Sequence, residues 1–457
     1  MTATVTATAT APATPAAFNR EALEKLLSSS TAPASIHQRQ RAAWERFAAL
    51  GMPQRSDENW MRTDLRLFKP QGFGLRPRPA ADAAVPPGLL AESFAAGSAE
   101  GPSERLAGRV LSLDGHILRD ELDPELARQG VLFGAPERLL AEQGELLQSH
   151  WLSVIDSGSD WFGALHAAFH SGGAILYVPP GVKVTAPLHL LSAITPGGVD
   201  TGHVLVVLGD GAEATLLTET AGGGLAGSPT AGFHCGGTEI VVGKGAMLRM
   251  VNLQNWNTGV WHFARQKARV HAEGRLQWTL GALGSRLSQV QQDVALVGRG
   301  AHAQVNGVMF TEGRQQLVYN TLQHHQAPDC KSDLLYKGAL QDRSRLVWRG
   351  MIKVDKIAQK TDGYQRNDNL MLSTEARADS IPGLEIEADD VRCTHGSTSG
   401  RVDDEQIFYA QARGLTADEA ARLVVAGFFQ QVFDRITIPP VREALARAIG
   451  GRIRRVT

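Results

Sequence analysis

The sequence predicts a mainly β protein with helical segments at both ends. Its 457 residues include 48 glycines, and 43 % are apolar but only 6 % aromatic, which suits many short strands joined by tight turns. The turn tetrad G-x-G-A recurs at residues 209–212, 243–246 and 298–301. Near both termini the apolar residues instead follow helical spacing. Together these observations define the fold class.

The central part of the chain is compatible with a β-sandwich, a propeller or a parallel β-helix. Apolar side chains alternate along its strands, for example at Leu276, Trp278 and Leu280. One turn type repeated before one strand favours the stacked coils of a β-helix. The residues alone leave the three architectures open.

The N-terminal part divides into three regions. Residues 1–17 are a low-complexity Thr/Ala/Pro stretch without an apolar signal segment, so we expect a disordered tail. Residues 18–70 are predicted to be a helical region, in which Leu23 and Leu27 follow helical spacing. Residues 71–158 are predicted to be a connecting region that begins with many Pro, Ala and Gly residues.

Residues 159–405 are predicted to form the β core, and residues 406–457 a C-terminal helical domain. A short helix over residues 160–170 precedes an apolar run with Pro-Pro-Gly punctuation, which marks the change to strands. Thr416 and Glu419 have the spacing of a capping box, so a helix should begin there.

A wide apolar stripe runs along that C-terminal helix. It offers more apolar surface than one packing face needs, so we interpret it as a docking surface, with simple packing on the core as the alternative. Its residues are Leu423, Val424, Phe428, Phe429, Val432 and Phe433.

Composition excludes several classes of function. The 46 Lys and Arg residues balance 47 Asp and Glu, so no global field attracts nucleic acid or a membrane surface. No apolar run is as long as a membrane span. The chain has no G-x-x-x-x-G-K-[ST] loop for nucleotide phosphates. Its three cysteines form no CxxC pair, which suggests a reducing compartment. We therefore expect a cytoplasmic protein that does not hydrolyse ATP by itself and that binds a protein partner or a small ligand.

Cys393 and His395 are the most informative pair of side chains. They are two residues apart in a predicted strand, so they should project from the same face. A thiol beside an imidazole is half of a site for a soft metal. Cys393 is also explained as a small buried hydrophobe. His395 is harder to explain by packing alone, because the small residues 396–400 follow it and would let another backbone approach closely.

Other polar clusters have structural explanations. His324 and His325 precede Cys330, but adjacent strand residues point to opposite faces and do not easily share one ion. The acid pairs at residues 389–390 and 403–404 would suit a β-helix carbohydrate lyase or hydrolase, which remains an alternative function. We interpret those acids as residues of solvated turns.

Three segments carry a resemblance to a known family. They are MPQRSDENWMRTDL (residues 52–65), QKTDGYQRNDNLMLS (residues 359–373) and the stretch over residues 381–436. They resemble the corresponding segments of the SufD family, subunits of the SUF (SufBCD) iron–sulfur cluster assembly scaffold. The resemblance implies a right-handed parallel β-helix core flanked by helical ends.

The resemblance also implies a function and partners. The chain would be a scaffold subunit that is not an enzyme, that pairs with a SufB-type subunit and that docks a SufC-type ATPase through its C-terminal helix. It could form a homodimer when isolated. His395 and, to a lesser degree, Cys393 would lie at the SufB junction and ligate metal in a site that the partner completes. No cofactor would be held stably by the isolated chain, and an iron–sulfur cluster or iron would be bound transiently in the complex.

The chain departs from the SufB pattern at two places. SufB has a cysteine in a "PYIEC" strand where residues 382–387 read PGLEIE, and a "HEA" motif where Gly396 follows His395. Both departures favour a SufD-type subunit. A SufB-like chain that binds a cluster by itself is the second alternative.

Overall fold

The computed structural model describes residues 16–80, 82–94, 105–227 and 230–453, so most of the tail expected over residues 1–17 lies outside the described residues. The chain enters through a helical region in which Asn19 caps the first helix, accepting a hydrogen bond from the amide of Ala22 at 2.8 Å. Leu23 and Leu27 are buried, as their spacing predicts. The elements are β1 (Ala16–Ala17), α1 (Arg20–Ser29), α2 (Ala34–Ala49), a 3-10 helix (Pro70–Gly72) and β2 (Gly74–Leu75).

The predicted connecting region supplies the first strands of the sheets. Its elements are β3 (Gly108–Leu113), β4 (His116–Leu122), α3 (Pro124–Arg128), β5 (Leu132–Gly134), α4 (Pro136–Glu142) and α5 (Gly144–Leu147). The short helix predicted next is α6 (Trp161–Phe169), and Asp160 caps it by accepting from the amide of Gly163 at 3.0 Å.

The centre of the molecule is a parallel β-solenoid of about eight turns, so the stacked-coil architecture is confirmed. From β9 onwards, successive strands alternate between two sheets, and each pairs in parallel with the strand one turn earlier. The strands are β6 (Gly173–Val178), β7 (Leu188–Ile194), β8 (Val199–Asp200), β9 (His203–Leu208), β10 (Glu213–Gly222), β11 (Gly232–Val242), β12 (Met247–Trp256), β13 (Val260–Val270), β14 (Arg275–Ala282), β15 (Leu287–Leu296), β16 (His302–Thr311), β17 (Gln316–His325), β18 (Lys331–Leu340), β19 (Arg345–Val354), β20 (Thr361–Met371), β21 (Arg377–Ile386) and β22 (Val391–Arg401).

One corner of the solenoid repeats the same left-handed turn. The amide of Gly211 donates to the carbonyl of Lys244 in the next coil at 2.8 Å, and the amide of Gly245 donates to the carbonyl of Ala272 at 2.9 Å. A positive φ favours glycine at such positions, which explains the recurring tetrad. The positive-φ residues of this column are Gly181, Gly211, Gly245, Glu273, Gly300, Asp329 and Lys360.

The position after this turn residue is occupied by a small side chain in most coils, where it packs in the core of the solenoid. Ala212, Ala246 and Ala301 occupy it in three coils, and all are fully buried. Cys330 takes the same place after Asp329 and is also buried. Cys330 is therefore explained as a member of a stack of small core residues.

Helices cover the outer faces of both sheets. Aromatic residues of the N-terminal region and α6 pack on β11 and β13, which belong to the sheet that ends at β21. The C-terminal helices pack on the outer face of the other sheet. These helices are α7 (Asp404–Ala412), α8 (Ala417–Phe433) and α9 (Pro439–Gly450).

The capping box predicted for α8 is confirmed. The Thr416 amide donates to Oε2 of Glu419 at 2.8 Å, and the Glu419 amide donates to Oγ1 of Thr416 at 3.3 Å. None of the helices over the described residues is long and apolar enough to cross a membrane.

Candidate functional site at the open end of the solenoid

The last coil of the solenoid forms an open end. Among the described residues, β21 pairs only with β19 and β22 only with β20, so each is the edge strand of its sheet. Leu384 and Ile386 of β21 are 37 % and 40 % exposed although they are large and apolar. The open end thus combines unpaired backbone groups with exposed apolar side chains, as a surface for another β-strand would.

Cys393 and His395 both lie on β22, in register with Gly363 and Gln365 of β20. Those two partners are buried inside the solenoid, so Cys393 and His395 belong to the inward face of the last coil. The strand and the shared face predicted for this pair are therefore present. No later coil covers them in the part of the chain that the structure describes, and His395 is exposed.

Cys393 differs from His395 in its surroundings. It is partly buried against Ile352, Val354 and Ala358. Burial raises the pKa of its thiol above the ordinary value, so the thiol is protonated at neutral pH. Metal binding would have to displace that proton.

The other two cysteines lie elsewhere in the fold. Cys235 packs beside the N-terminal helices and donates from Sγ to the carbonyl of Phe162 at 3.3 Å. Cys330 lies in the interior core and donates to the carbonyl of Gly298 at 3.2 Å. Within the described residues, no three His, Cys, Asp or Glu side chains are grouped so that they could hold a metal ion.

The adjacent histidines point in opposite directions, as predicted. Nε2 of His324 lies 2.8 Å from Asp355, in a partly buried pair on the outer face. Nε2 of His325 lies 2.8 Å from the hydroxyl of Ser332 inside the solenoid. Burial lowers the pKa of His325 to about 4, so this imidazole is neutral at physiological pH.

The acid pairs belong to turns and a helix cap. Asp389 and Asp390 are exposed between β21 and β22. Asp403 caps α7 by accepting from the amide of Glu405 at 2.9 Å. Asp389 and Asp390 therefore lie in a solvated turn, as predicted, and Asp403 has a capping role. The positions of these acids do not support the lyase or hydrolase alternative.

The stripe predicted for docking on α8 divides into a buried and an accessible part. Phe429 and Val432 are fully buried and Phe433 is 7 % exposed, and all three pack on the solenoid and α9. Val424 and Phe428 are partly buried at the edge of this core, whereas Leu423 is 60 % exposed. The buried three hold the helix on the sheet, so a partner could contact only the rest of the stripe without unfolding it.

An exposed aromatic pair on α7 was not among the predicted site residues. Phe408 and Tyr409 are 73 % and 61 % exposed. The signal that could have revealed a separate helix is the acidic run over residues 403–405, since acids favour the first turn of a helix. With Leu423, these aromatic residues provide the accessible apolar groups of the C-terminal helices.

Comparison with known proteins gives the family. Residues 192–428, more than half of the chain, match the family model described as SUF system FeS cluster assembly, SufBD core domain. An iron–sulfur cluster assembly SufBD family protein of Staphylococcus epidermidis is 27 % identical over 334 residues, which cover 73 % of this chain and 71 % of the relative. A relative of the same description from Staphylococcus haemolyticus has the same identity and coverage. One from Staphylococcus aureus strain USA300 is 26 % identical over the same length. The chain therefore belongs to the SufBD family of iron–sulfur cluster assembly proteins.

Proposed function

We propose that this chain is a SufD-type scaffold subunit, which is not itself an enzyme and which pairs with a SufB-type subunit through the open end of its solenoid. The observation that carries the proposal is the uncovered last coil, whose edge strand β22 presents Cys393 and His395. An unpaired strand edge binds a partner by extending the sheet. In this arrangement the partner's strands cover the coil that this chain leaves open.

A cluster at that junction would take ligands from both chains. Iron–sulfur clusters normally have four protein ligands, mostly cysteine thiolates. Cys393 and His395 supply a thiol and an imidazole on one face of β22. We therefore propose that iron or a nascent cluster is held only transiently, as cargo of the assembled complex.

The choice of SufD over SufB rests on two positions at the open end. The strand β21 has Leu384 and Ile386 exposed near the position of the cysteine in the SufB motif. Gly396 takes the place of the glutamate that follows the histidine in that motif. A chain without these two groups has fewer ligands for a cluster of its own.

The SufC-type ATPase would dock on the accessible face of the C-terminal helices. Exposed Phe408, Tyr409 and Leu423 are the apolar groups available there. A partner that buries them gains the free energy of removing apolar surface from water. This surface replaces the buried residues Phe429 and Val432 in the docking hypothesis.

Co-expression with SufB-type and SufC-type subunits tests the proposal. The expected result is a complex of all three that co-purifies through size-exclusion chromatography. Ile386→Asp should remove the SufB-type subunit and leave the ATPase bound, because it puts a charge on the strand edge alone. Leu225→Asp, at an apolar residue that is 65 % exposed elsewhere, is the matched control.

Two outcomes would contradict parts of this function. If the chain purifies without either partner, the scaffold role fails. If the isolated chain instead binds a stoichiometric cluster that survives Cys393→Ala, an autonomous SufB-like role replaces the shared site.

A further inference from the structure

A ladder of polar side chains runs from helix α8 across the sheet to the edge strand β22. Lys337 on β18 stands in register with Asp368 on β20, and Asp368 stands in register with Thr398 on β22. The three residues therefore form one lateral row over the last strands of the sheet. The row lies on the outer face, beneath the C-terminal helices.

Lys337 makes the contact with the helix. Its Nζ donates to the main-chain carbonyl of Phe428 at 3.0 Å and lies 4.7 Å from the centroid of the Phe428 ring. Lys337 is only 7 % exposed. Burial lowers the pKa of Lys337, and the nearby carboxylate of Asp368 opposes that effect.

Asp368 joins this lysine to the edge strand. Its Oδ2 lies 3.6 Å from Nζ of Lys337, and its Oδ1 accepts from the hydroxyl of Thr398 at 2.6 Å. Arg366 also donates to Asp368 from Nε at 3.0 Å. Asp368 is 3 % exposed, so its carboxylate is shielded from water, whereas Thr398 and Arg366 lie at the exposed edge of the row.

Buried ion pairs add little net stability compared with apolar residues of the same size. Their directional contacts do fix how two elements sit relative to each other. Here the elements are α8, beside the surface proposed to bind the ATPase, and β22, which carries His395. Displacement of α8 would shift Lys337, which contacts Asp368. Because Asp368 accepts a hydrogen bond from Thr398, the shift would also change the position of β22 at the open end.

We propose that Lys337, Asp368 and Thr398 are positioning residues that couple the C-terminal helices to the edge strand β22, so that a partner bound at the helices alters the junction at the open end. This inference rests on the proposed function, which identifies the partner at the helices as the SufC-type ATPase and the partner at the open end as the SufB-type subunit. The ladder itself is a property of the isolated chain.

Amide hydrogen exchange on the full chain tests the ladder directly. Lys337→Met removes the charge and keeps the length of the side chain, while Arg366 still partners Asp368. The expected result is faster exchange in α8 and in β22 together, by about tenfold for the slowest amides of β22. Exchange in the opposite edge strand β21 should not change.

Lys331→Met is a matched control on the same strands. Lys331 is in register with Asp362 on β20, which in turn pairs with Arg392 on β22. The distances are 3.4 Å and 3.2 Å, and the Lys331 and Arg392 side chains are mostly exposed. If Lys337→Met changes β22 no more than Lys331→Met does, the ladder does not couple the two elements.

A second variant covers the case in which Lys337→Met lowers global stability. Thr398→Val breaks only the last contact of the row and keeps the shape of the side chain. It should speed exchange in β22 and leave α8 unchanged. Unchanged exchange in β22 would overturn the proposal.

The same measurement with a SufC-type ATPase separates the coupling from the proposed function. Binding to the wild-type chain should change exchange in β22, and Lys337→Met should abolish that response while the ATPase still binds. Binding without a response in β22 overturns the coupling and leaves the docking intact. If the ATPase does not bind the wild-type chain, docking fails, and exchange in the isolated chain still decides the ladder.

Discussion

His203 and Glu239 form a hydrogen-bonded pair with both side chains fully buried, Nε2 of His203 lying 3.2 Å from Oε2 of Glu239. The other carboxylate oxygen accepts from the amides of Val154 and Ile155 at 2.5 and 2.7 Å. Burial alone would raise the pKa of Glu239, but these hydrogen bonds hold it below its ordinary value. Glu239 thereby binds the segment before α6, at Val154 and Ile155, to the solenoid.

Glu239→Ala should lower the free energy of unfolding by about 3 kcal/mol, because it leaves buried donors without an acceptor. Urea unfolding followed by circular dichroism measures the loss. Glu213→Ala is the control, since Glu213 pairs with Lys183 at the surface and should behave almost as wild type. Equal losses in the two variants would contradict the role of Glu239.

Stability should fall as the pH decreases from about 6.5, the ordinary pKa of histidine. Burial lowers the pKa of His170 and His234 to about 3, and that of His166 and His262 well below the ordinary value. Over this range the unfolded chain binds protons that the folded chain does not, so each histidine removes up to about 1.4 kcal/mol per pH unit.

Denaturant midpoints between pH 5 and 6.5 measure this effect, in a range where most carboxylates remain ionised. His170→Gln should reduce the slope. A midpoint that does not change over this range would show that these imidazoles are accessible to protons in the folded state.

Phe429→Ala should cost about 3–5 kcal/mol, because it removes a buried ring between α8 and the sheet. Leu423→Ala, at an exposed position of the same helix, should change stability by less than about 0.5 kcal/mol. Leu423→Asp should weaken binding of a SufC-type ATPase without unfolding the chain. Thermal unfolding together with a pull-down distinguishes the two roles, and normal ATPase binding by Leu423→Asp would move the docking surface elsewhere.

His395→Ala should leave stability and partner association largely unchanged, because the side chain is exposed. It should strongly impair cluster assembly, measured by the activity of an iron–sulfur enzyme in cells that depend on this system. Cys393→Ala should impair assembly less, and Thr394→Ala on the opposite face of β22 serves as control. Full complementation by His395→Ala would remove this residue from the mechanism.

Gly211→Ala should destabilise the chain by about 1 kcal/mol, because φ is +67° and a side chain is strained there even though the space is open. Lys360 occupies the same place in a later coil, with φ of +60°. Lys360→Gly should not change the free energy of unfolding, since relief of strain in the folded state offsets the added entropy of the unfolded chain. Chemical denaturation compares them. If Gly211→Ala and Lys360→Gly lower the free energy of unfolding equally, the two turns are not equivalent.

The local features of this fold could be predicted from the sequence. The G-x-G-A turns can be recognised because a positive φ favours glycine and the buried position after it favours a small residue, and both preferences act within a few residues. The capping box of Thr416 and Glu419 and the shared face of Cys393 and His395 follow from the same short-range geometry.

Which side chains are covered depends on packing between distant parts of the chain. The stripe on α8 was visible as helical spacing, but only packing on the solenoid shows that Phe429 is buried and Leu423 exposed. The alignment of Lys337 with Asp368 depends on the register of strands a full coil apart. The turns, the helix start and the side-chain alternation could be predicted because they depend on neighbouring residues. The open end, the buried face of α8 and the ladder depend on the stacking of coils that are far apart in the sequence.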